Sequence, residues 1–490
     1  MRVLRFALLP LVLLISGIAI AQVRTTGGIP MAPVGATSGS IGAPVGQSRS
    51  LPVAPMVSTQ NSVPSGVASP DTISLKLIDA IHRGLKSNLA VIVGDLASRN
   101  AEAARLRDLN ELRPKIDGRV AALSQQVNLA AFGFTGFPGV PQVIGPFQVF
   151  DARAFLTQSL IDAQRRHNLR ESTENKNAID YSNGDVREAV VLTVMDLYFK
   201  AVSAESRVHA VEAQVKTAET LNMRASDMKN AGVAPGIDVL RSQVELQTEQ
   251  QRLIQARNEF SQGKLELARA IGLPLAQEFT LADSLPAGEI PPESLQEILD
   301  QAYASRPDAK AAKARLRAAQ EALEAARSEN LPTVHLNANY GAIGNHPETS
   351  HGTFLVEGAV QFPILNSNAK SRIIDKQALL RQREAEMESL HGSIELDVRS
   401  ALLQLQSSDE QYKVAQSALN LVRQQLEQAQ DRFAAGVANN LEVVQAQEAL
   451  ALGNESIISS LYAFNVSRAL LAHAAGVAEK SVETLFGGTK

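Results

Sequence analysis

"RFAAGVANNLEVVQAQEAL", residues 432–450, decides how this chain is read. A polar, Ala-rich helical pattern runs into a glycine, turns through small residues and becomes helical again. An echo stands earlier, "MKNAGVAPGIDVLRSQVEL", residues 228–246. The echo extends far beyond the turn. Leu160 matches Ile364, Asp162 Asn366, Leu192 Leu396, Val194 Val398, Gly232 Gly436, Val239 Val443, Gln243 Gln447, Leu246 Leu450, Phe260 Phe464 and Gly272 Gly476, all at an offset of 204. Chance similarity between two Ala-rich helices would not keep the turn glycine, the closing glycine and a lone Phe in one register. The pattern is that of an internal tandem duplication.

A second register precedes it. "DTISLKLIDAIHRGLKSNLAVIVGDLASRNAEAARLRDLNELRP" shares its grammar with "PESLQEILDQAYASRPDAKAAKARLRAAQEALEAARSENLP": a short helix, a break, then a longer helix ended by proline. Ser87 matches Ser305 and Pro114 matches Pro332 at an offset of 218. The two offsets differ by 14, so the first copy carries that many extra residues between Pro114 and Leu160. They fall in the Gly/Pro/Phe-rich loop "AAFGFTGFPGVPQVIGPF".

The segments between the helices have a different period. In "TVHLNANYGAI", 333–343, Val334, Leu336, Ala338 and Tyr340 alternate with Thr333, His335, Asn337 and Asn339. In "TFLVEGAVQFPIL", 353–365, Phe354, Val356, Val360 and Phe362 oppose Glu357 and Gln361. Period-two alternation of this length predicts β-strands. About ten residues is the length of a strand crossing an outer membrane. "GNHPETSHG" joins these two as a hairpin, and the first copy offers a noisier pair at about 115–130 and 147–160.

Long helices follow each strand pair. No proline interrupts Asp162 to Asn230, where the soft spot is "YSNGD", 181–185, and the matching helix runs from Asn366 to about Ala434. At ~1.5 Å per residue each spans roughly 100 Å. Shorter helices return over about 237–271 and 441–475. Helices of this length with mixed faces require neighbours, packed as antiparallel coiled coils.

Composition fits such a frame. Of 490 residues only 4% are aromatic, Trp is absent and the net charge is −4, which gives no footprint for nucleic acid. There are no cysteines, so disulfides, thiol catalysis, Cys-bound metal and a lipidated N-terminal cysteine are excluded. "MRVLRFALLPLVLLISGIAIAQ" has a basic start, an apolar run and a small-x-small site, the pattern of a signal peptide over 1–21 cut before Gln22. Residues 22–70 are rich in Gly, Pro and Ser and predict a disordered linker. The expected division is then a first repeat over 71–290, a second over 291–477 and a C-terminal tail over 478–490. No later segment has the apolar length of a transmembrane helix, which leaves β-strands as the route into a membrane.

Four strands cannot close a barrel, and an open edge is not tolerated in lipid. Closure takes roughly eight strands or more, so the chain must oligomerise, with the helices continuing on the periplasmic side.

The signal peptide, the duplicated helix–hairpin–helix units, Phe433-Ala434-Ala435-Gly436 followed by Leu441-Glu442-Val443-Val444-Gln445-Ala446-Gln447, and the pre-helix "FPILNSNAKSR" resemble the outer-membrane efflux protein family, the TolC-like exit ducts, over about residues 71–477. The resemblance implies a mainly α fold with a membrane β-barrel. Long coiled-coil helices would form a periplasmic tunnel, and four strands per chain would enter a shared trimeric 12-stranded barrel. It implies a homotrimer in the cell outer membrane, opened by a periplasmic adaptor (membrane fusion) protein and an inner-membrane transporter. It further implies passive conduction, without cofactor, as part of a tripartite efflux or type I secretion system.

The resemblance also assigns positions. Glu442 and Gln445 stand where relatives narrow the tunnel with acidic side chains, and residues three apart share a helix face. Threefold repetition would ring Glu442 carboxylates around a constriction, favouring cations. A neutral Gln445 makes that ring weaker than one with two acids, a departure from the acid pair behind the cation-binding site that the resemblance would imply. Phe433 matches an aromatic that helps hold the closed state. Ala438 replaces an Arg that makes a gating salt bridge in some relatives. Asp238 and Arg241 are the first-copy equivalents of Glu442 and Gln445, and their opposite charges can pair. The alternative for Glu442 and Asp238 is a solvated acid favoured by the helix dipole. Gly232 and Gly436 end helices as C-caps. With Val233-Ala234 and Val437-Ala438 they form small-residue tips where an adaptor would dock.

Enzyme motifs are absent: no HExxH, GxSxG or phosphate-cradling glycine loop occurs. Glu388/His391 and Glu348/His351 have the Glu-x-x-His spacing of di-iron bundles, but the first lacks a mate and the second lies in a loop. No metal site is expected. An exported periplasmic coiled-coil or adaptor-like protein without a pore is the other class that long hairpins fit. The alternating strand pairs argue against it.

Overall fold

A computed structural model describes residues 58–132, 139, 141–233, 235–287, 294–364, 366–435, 437 and 440–485. The expected signal peptide (1–21), residues 22–57 of the expected linker, Ala234, Leu365, Gly436, Ala438 and residues 486–490 of the expected tail lie outside the described residues.

The order of elements begins with β1 (Ile73–Leu75), α1 (Leu77–Ser87), α2 (Leu89–Leu112), β2 (Lys115–Asn128), β3 (Val143–Ile161), α3 (Ala163–Asn230) and α4 (Gly236–Ala270). After β4 (Phe279–Leu281) the sequence of types recurs: α5 (Leu295–Ser305), α6 (Pro307–Ser328), β5 (Thr333–Gly344), β6 (His351–Gln361), α7 (Ala369–Ala434) and α8 (Asn440–Ala474), closed by α9 (Ala478–Leu485).

Local chemistry sets the boundaries. The Asn88 side chain caps α2 by accepting from Ala90 N at 2.9 Å, which makes the break after α1. In the second half Pro307 opens α6 at the first-turn position, where its missing N–H costs nothing. Asp162 caps α3, accepting from Arg165 N at 2.9 Å. From there α3 runs unbroken for 68 residues. The soft spot at 181–185 stays helical: Gly184 faces Pro307, and Asn183 donates to Asp95 Oδ1 at 2.7 Å on α2. Tertiary packing there overrides weak propensity.

Among the described residues, the two larger clusters of buried side chains lie midway along the long helices. In the first, Val190, Val191, Val194, Met195, Tyr198 and Phe199 of α3 meet Leu77 and Ile81 of α1, Leu267 and Ile271 at the end of α4, and Phe279 of β4. In the second, Ile394, Val398 and Leu405 of α7 meet Ile298 and Leu299 of α5 and Phe464 of α8. Burying a side chain of this size contributes roughly 1.5–3 kcal/mol, so these clusters anchor the helices mid-length. β1 pairs with β4 in parallel beside the first cluster.

Two expectations need correction. Residues 58–70 are not a disordered linker. Val63 N donates to Ser87 O at 2.8 Å, Ser65 N to Gly272 O at 3.0 Å, and Asn88 Nδ2 to Thr59 O at 2.6 Å. Their Gly/Pro/Ser content serves an extended strap whose backbone satisfies the loops it crosses. The C-terminal tail, expected from 478, instead begins with α9, whose Ala478 and Val482 are buried in the first cluster.

Candidate channel wall and hairpin tips

β2, β3, β5 and β6 form one antiparallel four-stranded sheet in the order β2-β3-β5-β6. The central β3–β5 ladder joins the two halves, and β2 and β6 are its edges. Register decides what each face carries. Ile116 pairs with Leu156, Leu156 with Ala338 and Ala338 with Val356; one step along, Gly118, Ala154, Tyr340 and Phe354 line up. This face is apolar and exposed: Ile116, Val120, Tyr340 and Phe354 are each about three-quarters accessible. Rows on the other face carry Asp117, Phe155, Asn339 and Leu355, then Arg119, Arg153, Gly341 and Thr353. Arg153 there pairs with Asp151 at 2.5 Å and stacks over Phe155 at 5.2 Å. Such alternation of apolar and polar rows suits a sheet with lipid on one side and water on the other.

The strand bounds differ a little from the expected ones. β3 starts at Val143 because it stays paired with β2 as far as Asn128. β6 ends at Gln361, since Pro363 has no N–H for the ladder.

At the far end of α3 the chain reverses. Val233 N bonds to Met228 O at 2.9 Å and Gly232 N to Lys229 O at 3.0 Å, the paired bonds of a Schellman cap, with Gly232 at φ +74°. At the end of α7, Val437 N bonds to Arg432 O at 3.0 Å, the same link in the other hairpin. Val233 and Val437 are about 70% exposed, so both tips present an accessible apolar residue.

Just beyond, Phe433 is buried against Leu221, Leu426, Val443 and Ala446, a small core holding α7, α8 and α3 together at the tip. Glu442, in the first turn of α8, pairs with Arg432 of α7, Nε to Oε2 at 3.3 Å, and both side chains are about half exposed. Gln445 is exposed one turn on. Asp238 is different: its side chain is buried, 3.5 Å from Arg241 Nη1, and its carbonyl accepts from Asn440 Nδ2 at 3.2 Å. That bond ties the start of α4 to the start of α8. The Arg432–Glu442 pair and the Asn440 link escaped sequence reasoning, because each joins residues whose proximity depends on how two helices cross.

Further up the bundle Arg207 of α3 binds Glu455 of α8 through Nε and Nη2, both at 2.6 Å. Tyr462 of α8 donates to Asp196 of α3 at 2.6 Å. Among the described residues no group of three or more His, Asp or Glu is placed to hold a metal ion. Of the two Glu-x-x-His pairs, His391 sits against Tyr303 at 5.2 Å, while Glu348 lies in the turn before β6 and His351 begins that strand.

An amphipathic sheet continued by paired helices of this length is the architecture of a TolC-like outer membrane channel fold. The description "Outer membrane efflux protein" matches residues 146–273 and 298–477, more than half of the chain, and the chain belongs to that family. It is similar to the probable efflux pump outer membrane protein TtgC of Pseudomonas putida, 24% identical over 284 residues, covering 55% of this chain and 57% of that protein. It is also similar to the alkaline protease secretion protein AprF of Pseudomonas aeruginosa, 24% identical over 346 residues, covering 66% and 69%. The chain thus spans little more than half of TtgC. In fold it resembles the open MtrE outer membrane channel of Neisseria gonorrhoeae (TM-score 0.69, 17% identity, covering 85% of this chain and 94% of that one). The Campylobacter jejuni CmeC outer membrane channel is similar too (TM-score 0.69, 17% identity, covering 82% and 86%).

Proposed function

We propose that this chain is the outer-membrane duct of a tripartite efflux or type I secretion system, conducting substrates passively from an inner-membrane transporter and a periplasmic adaptor to the exterior. The observation that carries this reading is the sheet: among the described residues it has four strands, one apolar face, one charged face and two unpaired edges. Three copies joined β2 to β6 would supply a 12-stranded barrel, with Lys115, Asp117, Arg119 and Arg153 turned to the lumen. Exposed Leu396, Leu403, Val414 and Leu421 recur along α7 at steps of seven and eleven residues, a stripe suited to a neighbouring copy's helix. The offset of 204 between the halves, with the same order of elements in each, supports a tandem duplication.

At the periplasmic end, Glu442, Gln445, Asp238, Arg241 and Phe433 form the pore constriction and its gate. Gly232, Val233, Ala234, Gly436, Val437 and Ala438 are the adaptor-docking tips. The names of TtgC and AprF support both efflux and protein secretion as uses of this architecture. Native mass spectrometry of the detergent-extracted outer-membrane fraction should give a trimer, and the trimer should conduct ions in planar bilayers. A soluble periplasmic monomer without conductance would overturn the reading and favour the pore-less coiled-coil alternative.

A further inference from the structure

Between the two helical hairpins lies a cavity of about 430 Å³, walled by α3, α4, α7 and α8. That is within the size range of small-molecule pockets. Leu426 and Leu450 give it an apolar lining, and Glu245 and Glu249 of α4 face it. Glu249 is 3% exposed; its Oε1 accepts from Arg252 at 2.5 Å, while Oε2 is buried with no hydrogen-bond partner among the described residues. An unpaired buried carboxylate oxygen is costly and normally carries a reason.

The repeat itself does not supply that reason. At the offset of 204, Glu245 and Glu249 stand opposite Ala449 and Gly453. A Cβ on Gly453 would come within 3.0 Å of Val422 Cγ2, so α8 simply packs closely on α7 there. Where the second hairpin packs closely at Gly453, the first carries Glu245 and Glu249 beside open space.

We propose that this cavity is a binding site for a small organic cation, an ammonium group donating to Glu249 Oε2 with its hydrocarbon part against Leu426 and Leu450. The charges around it fit one cation. Glu245, Glu249 and neighbouring Glu448 outnumber Arg252 on the α4 and α8 sides, Arg423 lies on the α7 wall, and His209 is exposed on α3. Burial raises the pKa of both Glu245 and Glu249, so a charged partner is what would favour their ionised forms. A bare divalent ion is a poorer match, because it requires several oxygen ligands at once and no such group is assembled among the described residues. The inference stands on the cavity alone and not on the duct reading.

The test is titration of the purified full-length protein with n-butylammonium chloride at pH 8, followed by saturation-transfer NMR, with n-butanol as the neutral isostere. Saturable binding, one site per chain, is expected for the ammonium and not for the alcohol. Glu249→Gln should weaken it about tenfold or more; Glu266→Gln, an exposed acid paired with Lys200, should leave it unchanged. Ala213→Leu, which fills the cavity without removing charge, should also abolish it. Absence of saturable binding to the wild type, equal binding of butanol, or unchanged affinity in a helical Glu249→Gln protein would overturn the proposal.

Discussion

Glu442 has an ion-pair partner in Arg432. Held 3.3 Å from Arg432, its carboxylate is partly neutralised, so a ring of three would present less negative field than three free acids. Arg432→Gln should therefore increase cation preference in planar bilayers, while Glu442→Ala should decrease it or raise single-channel conductance. If reversal potential and conductance are the same in all three proteins, the pore-facing role fails. Glu249 allows a different test, in the folded chain's pH response. Burial raises its pKa in the folded state, outweighing the pull of Arg252. Folding then favours the protonated form, so its contribution is fully present below the ordinary carboxylate pKa and is lost as pH rises through the raised value. Glu249→Gln cannot ionise, so its Tm relative to wild type should be more favourable at pH 8 than at pH 4. Parallel Tm curves in circular-dichroism melts would show that Glu249 carries no such linkage.

Helices and strands were legible because their signals are local. Proline, glycine and the change from period 3.6 to period 2 placed α3 and the β5–β6 hairpin within a few residues. The strap at 58–70 and helix α9 were missed for the opposite reason: their stability comes from distant partners, Ser87 and Gly272 for one, the α1–α3 core for the other. The inter-hairpin cavity was invisible for the same cause, since it needs four helices at once. Within elements, the closing glycines separate two physical effects. Gly232 (φ +74°) and Gly476 (φ +71°) share a left-handed conformation, but a Cβ at Gly232 meets nothing within 4 Å among the described residues. At Gly476 it would fall 2.7 Å from Arg306 Cα and 2.8 Å from Arg306 N. Gly232→Ala should cost roughly 1–2 kcal/mol. Gly476→Ala should cost that and a backbone clash, about 3 kcal/mol or more in all. Urea unfolding midpoints of the two variants decide it, and equal losses would mean that the α5–α6 corner yields freely.

For the whole molecule, the sheet faces carry the consequence. If the face bearing Ile116, Tyr340, Phe354 and Val356 meets lipid, a charge there opposes insertion; if the other face lines water, a charge there is tolerated and felt by passing ions. Val356 and Glu357 are adjacent on the edge strand β6 and point to opposite faces, opposite Ala338 and Asn337. Both lie within the same strand, so one substitution at each position compares the faces at nearly the same depth. Val356→Lys places an ammonium in the apolar row, at about 2–4 kcal/mol per copy near a bilayer midplane. A trimer would carry that cost three times over. It should reach the outer membrane poorly and lose the trimer band on semi-native gels. Glu357→Lys adds the same side chain to the polar rows beside Asn337. It should assemble normally and move the reversal potential toward anion preference. Normal assembly of Val356→Lys together with failure of Glu357→Lys would reverse the two faces. Equal tolerance of both would mean that neither side of the sheet meets lipid, and the long helices would then have to be explained without a barrel above them.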